Sequence, residues 1–84
     1  MKTPVLKPEE LIGILRKMGF KEIRQKGSHK YFKHKDGRAT VIPYHKGEDI
    51  SRGLLRKILK DIEVDIKEFM KIKGRVRWKR GLRF

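Results

Sequence analysis

Residues 28–43 read "SHKYFKHKDGRATVIP", and the reading of this stretch decides the fold. Asp36-Gly37 lies between two β-prone runs. Asp-Gly in that setting is a strong local hairpin signal, because glycine takes the positive φ that a tight reversal demands. Tyr31 and Phe32 lie on one side, Val41 and Ile42 on the other. Pro43 has no N–H for a ladder and ends the second run. Alternation places His29 and Tyr31 on one face and Phe32 on the other. The stretch predicts an antiparallel hairpin with one face turned to a core.

Upstream, "FKEIRQKG" (20–27) holds only two apolar residues, Phe20 and Ile23. It predicts a short strand that ends at Gly27 and completes a three-stranded meander. Before it, Leu11, Ile12, Leu15 and Met18 recur at helical spacing. Pro8 suits a first helical turn, and Glu9 and Glu10 sit where the helix dipole favours anions. Gly19 is a ready C-terminal cap. These signals predict a helix over Pro8–Met18, with Gly13 costing about 1 kcal/mol relative to alanine.

Downstream, "YHKGED" (44–49) reads as a loop. Ser51 or Asp49 can cap the next helix. Leu54, Leu55, Ile58, Leu59 and Ile62 form its stripe, predicting a helix from Arg52 to about Lys60. Asp65 and Glu68 have capping-box spacing and open a third helix with Phe69 and Ile72. "GRVRWKRGLRF" (74–84) carries five basic residues and no acid. The expected organisation is one domain over residues 1–73 and a basic tail over 74–84. The fold class is α+β, an α-β-β-β-α order with a three-stranded antiparallel sheet and helices on one face. That is the layout of double-stranded-RNA-binding domains, which by itself assigns no function.

Composition narrows the function. Lys and Arg number 24 against 10 acids in 84 residues, a formal charge of +14. So one-sided a charge costs self-repulsion and serves attraction to a polyanion, by default nucleic acid. The absence of cysteine removes disulfides, thiolate metal sites and cysteine nucleophiles, and fits a reducing cytoplasm. No apolar run approaches the roughly 18–20 residues of a membrane span. Pro4, Pro8 and two glutamates interrupt the N-terminus where a targeting segment would be apolar. A cytoplasmic location without membrane contact is expected.

His29 is the candidate for chemistry. Histidine titrates near neutrality and can act as general acid or base without a cofactor. Lys26 and Lys30 beside it could hold a phosphodiester and offset charge developing on it. The basic stretch Lys21 to Lys35, with Arg24 and Lys33 inside it and Arg38 just beyond, is interleaved with Phe20, Tyr31 and Phe32 and reads as a candidate phosphate and base-stacking surface. Gly27 and Ser28 would give close backbone approach. The plainer alternatives are a strand histidine that binds locally or passively, an ordinary turn and a solvated strand face. Residue types alone favour those alternatives. His29, His34 and His45 lack a compact ligand spacing, so neither metal nor cofactor is expected.

Longer stretches add a resemblance. "LRKMGF", "RQKGSHKYFKHKDGR", "VIPYHKGEDISRGLLRKIL" and "IEVDIKEF", spanning about residues 8–70, are similar to the HicA (YcfA-like) toxins. Those are small messenger-RNA-cleaving proteins of bacterial and archaeal toxin–antitoxin pairs. The Gly-Ser-His opening the second strand, the Asp-Gly hairpin and the Pro-x-His of Pro43 and His45 carry the match. The resemblance implies the double-stranded-RNA-binding-like fold and a histidine required for ribonuclease activity, here His29. It also implies that Gly27 and Ser28 shape the approach to that residue. A HicB-like antitoxin would cover the site in a hetero-oligomer. Two readings follow. One is a metal-independent endoribonuclease acting on mRNA; the other is a non-catalytic RNA-binding module of the same fold. The tail from Gly74 lies outside the resemblance.

Overall fold

Residues 5–45 and 47–75 are described by the structure, a computed structural model. Most of the basic tail, from residue 76, lies outside the described residues. The element order is α1 (Pro8–Lys17), β1 (Lys21–Lys26), β2 (His29–Lys33), β3 (Ala39–Pro43), α2 (Arg52–Ile62) and α3 (Ile66–Arg75). The strands form one antiparallel sheet in the order β1-β2-β3. This is the α+β class and α-β-β-β-α order expected from the sequence.

Each element ends for a local reason. Pro8 opens α1, and Met18 caps it ahead of Gly19 at φ +102°. The Phe20 N–H then donates to the Leu15 carbonyl and the Gly19 N–H to that of Arg16, closing a Schellman turn. Ser51 caps α2 by accepting from the Leu54 N–H at 3.1 Å. Asp65 does the same for α3, accepting from the Glu68 N–H at 2.8 Å. α2 runs to Ile62, two residues beyond the expected end, and stops where Glu63 turns left-handed at φ 58°.

The β2–β3 hairpin closes with His34 N–H donating to the Arg38 carbonyl at 2.8 Å. Lys35, Asp36 and Gly37 form the tip, with Gly37 at φ +103°. The β1–β2 reversal is tighter, with only Gly27 and Ser28 between the paired Lys26 and His29. Gly27 takes φ +58° while Ser28 does not take positive φ, the pattern of a type II′ turn.

The core lies between the helices and one face of the sheet. α1 contributes Leu11, Ile12, Ile14 and Leu15; the sheet contributes Phe32 and Ile42. α2 adds Leu55, Ile58, Leu59 and Ile62, and α3 adds Phe69. Phe20 and the bridged pair Leu6–Ile50 complete it. Thr40, the one buried polar residue among those described, donates to Asp61 on α2 at 2.9 Å. Among the described residues no helix covers the opposite face of the sheet, where most of the expected site residues gather.

Candidate nucleic-acid interface

His29 is the first residue of β2 and is exposed. Its neighbours follow from the register. Lys26 stands opposite it on β1 and Pro43 on β3. Pairs in an antiparallel ladder alternate, and His34–Arg38 is hydrogen-bonded. Counting from it, His29–Pro43 is a non-hydrogen-bonded pair, the kind whose side chains stand closest. Pro43 therefore sits at the only kind of position on β3 where it costs no ladder bond. The Tyr44 N–H donates to the Ser28 carbonyl at 2.6 Å, so both strands brace the turn that carries His29.

Alternation puts Tyr31 and Lys33 on the same open face as His29. A bulge between Glu22 and Arg24 shifts the β1 register by one residue. Arg24 consequently faces Tyr31, with its guanidinium 4.6 Å from the ring centre. Arg24, Lys26, Gly27, Ser28, His29 and Lys33 are thus brought to one surface. Within the chain itself it is φ that calls for glycine at 27, because a Cβ there would meet no protein atom within 4 Å.

Two expected cations lie elsewhere. Lys30 shares the parity of Phe32 and points to the helix side. Its ammonium reaches Glu22 at 3.5 Å and Gln25 at 3.2 Å, and lies 5.1 Å from the centre of the Tyr44 ring. Arg38 lies past the far end of β2, about 13 Å or more from His29 at ordinary strand rise. It is held by Asp36 at 2.9 Å and by the Ile62 carbonyl at 2.6 Å, and sits over Phe20. Both fix the scaffold on which the open face rests.

The other histidines separate as well. His34 packs edge-on against Phe20 with ring centres 5.1 Å apart, and its Nδ1 accepts from the Asp36 N–H at 3.0 Å. His45 is exposed beyond Pro43. Among the described residues no three His, Cys, Asp or Glu side chains converge to hold a metal ion. No helix among them is long and apolar enough to cross a membrane.

Two ionisable groups have displaced titrations, one at the hairpin tip and one beside the turn that precedes His29. The hydrogen bond from the Arg38 backbone N–H holds the Asp36 carboxyl below its ordinary 3.8, helped by the Arg38 side chain. Tyr44 donates its hydroxyl to Glu9 at 2.8 Å, which raises its phenol above 10.0.

The sequence put Lys21, Lys33 and Lys35 in one basic stretch, but not their convergence in a second cluster. Gly19, Lys21, Ile23, Lys33, His34 and Lys35 line an open depression at the end of the sheet away from His29. Ile23 is 58% exposed. Its placement depends on the bulge, which no residue type in "KEIRQK" announces.

Comparison with curated protein sequences gives no match. The family model for the HicA toxin of bacterial toxin–antitoxin systems matches residues 8–64, from the start of α1 through all three strands to just past α2. This chain belongs to the HicA family of toxins, which act within toxin–antitoxin systems alongside an antitoxin partner.

Proposed function

We propose that the protein is a metal-independent endoribonuclease that cleaves mRNA on the open face of its sheet, with His29 as the proton-transfer group. The observation that carries this reading is the exposed His29 imidazole, set between Lys26 and Pro43 on a two-residue turn. A hydrolytic toxin without a cofactor needs such a group within reach of a phosphodiester. In the proposed step, His29 takes the proton of an RNA 2′-hydroxyl. The 2′-oxygen bonds to the adjacent phosphorus, the bond to the 5′-oxygen breaks, and that oxygen leaves with a proton from solvent. The products are a 2′,3′-cyclic phosphate and a 5′-hydroxyl. Lys26 and the backbone at Gly27 and Ser28 offset charge developing on the phosphate. Arg24 and Lys33 hold the neighbouring backbone. Lys30 and Arg38 supply field and scaffold. The antitoxin silences the protein by covering this face in a hetero-oligomer, in the cytoplasm.

The test is incubation with single-stranded RNA in excess EDTA, beside His29→Ala. The parent should cut and leave cyclic phosphate ends. The variant should bind and lose at least about 10²-fold in rate, the low end of what a proton-transfer group contributes. Binding by both proteins with cleavage by neither would make the protein a non-catalytic RNA-binding module.

A further inference from the structure

Lys21 and Lys33 stand directly opposite each other, the first residue of β1 against the last of β2. Like charges so placed repel and weaken a sheet. Both are exposed, and among the described residues no ion pair relieves either of them. Lys35 joins them from the hairpin tip, and among the described residues no carboxylate lines the depression they share. Its floor is rigid. His34 rests on Phe20, and its Nε2 would lie 2.9 Å from a Cβ at Gly19, so only glycine lets the ring sit there. Three lysines thus line one depression despite the mutual repulsion of their charges.

The depression is aligned with His29. Lys33 lies four residues along β2 on the same face, about 13 Å away at strand rise. Between them are exposed Ile23 and the stacked pair Arg24–Tyr31. Cation, flat stacking surface, cation is the order in which a single strand offers phosphate, base and phosphate.

We propose that this depression is a second phosphate subsite. It takes a backbone phosphate of the same RNA strand whose scissile phosphate lies at His29, while an intervening base rests on Ile23 and Tyr31. The subsite rests on the RNA-cleaving reading and adds a direction to it, fixing which way the strand lies across the sheet.

The test uses the full chain carrying His29→Ala, so that bound RNA stays intact. Binding of a short labelled mixed-sequence single-stranded RNA is measured over a range of salt. Lys21→Gln with Lys33→Gln should weaken binding several-fold and flatten the log–log salt slope by about 0.7, the value of one single-strand phosphate. Lys67→Gln with Lys71→Gln, an equal charge loss on α3, should leave the slope unchanged. Lys35→Gln alone should give a smaller change of the first kind and stands in if the double variant fails to fold. Equal effects of the two double variants, or no effect of either, would overturn the subsite. So would an unchanged RNA slope with lost affinity for an acidic protein, which would give the surface to a protein partner. Cleavage by the His29 parent in chelator is scored separately. A flattened slope without cleavage would sink the nuclease reading alone, and cleavage with an unchanged slope would sink the subsite alone.

Discussion

At the scale of single residues, the site depends on two backbone positions. Gly27 sits at φ +58° with open space around it. Gly27→Ala should therefore cost about 1 kcal/mol through left-handed strain alone, with no clash. Chemical denaturation checks the loss, and a variant as stable as the parent would contradict it. Tyr44 ties the same turn to α1, its N–H on Ser28 and its hydroxyl on Glu9. The Tyr44 phenol titrates higher folded than unfolded. Its contribution is complete below about pH 10, the unfolded value, and is lost as pH rises through the folded one. Tyr44→Phe should remove that alkaline dependence, as read from melting temperature against pH. Alternation made the exposed face of His29 legible, because Phe32 had to be inside. It equally implied that Lys30 points inward, although residue type alone grouped it with Lys26. The position of Arg38 was not legible for another reason. Its proximity in sequence says nothing about its lying beyond the far end of a strand.

At the scale of elements, the hairpin and the helices were readable because their signals are chemical. Asp-Gly marked the reversal, and Ser51 and Asp65 marked helix starts through hydrogen bonds that are present. The end of α2 was not readable, since nothing marks Glu63 as left-handed. A non-glycine residue there pays a steric cost. Glu63→Gly should raise stability by about 0.5–1 kcal/mol, the left-handed penalty less the extra chain entropy of glycine. At the hairpin tip, Asp36 has its titration lowered mainly by the Arg38 N–H. Its contribution is present above about pH 4 and lost as pH falls through the folded value. The Arg38 amide resonance should follow that acid transition and lose it in Asp36→Asn. The β1 bulge was hidden, and with it the placement of Ile23 and Arg24. The opposed Lys21 and Lys33 follow from register rather than composition. Lys33→Gln should raise the stability of the free protein by about 0.2–1 kcal/mol.

At the scale of the molecule, a small core supports a large charge. Helices bury one face of a three-stranded sheet, and the other carries Lys21, Arg24, Lys26 and Lys33 in a chain of 24 cations and 10 acids. A domain of this size is marginal in stability, so each buried aromatic matters. Phe69 joins α3 to the core, and Lys73 reaches Glu10 of α1 at 3.5 Å. Phe69→Ala should cost about 3–5 kcal/mol and bring the protein close to unfolding at ambient temperature, as circular dichroism would report. The family match covers α1 through α2, the elements that build and back the sheet.

The central claim is that RNA lies on the open face of the sheet, centred on His29. Its most direct test is backbone resonance mapping of isotope-labelled His29→Ala protein titrated with single-stranded RNA. The account predicts the largest shifts at Arg24, Lys26 to Ser28, Tyr31 and Lys33, with the exposed side of α2 unmoved. Shifts confined to α1 and α2, with β1 and β2 silent, would place the RNA on the helices and contradict it.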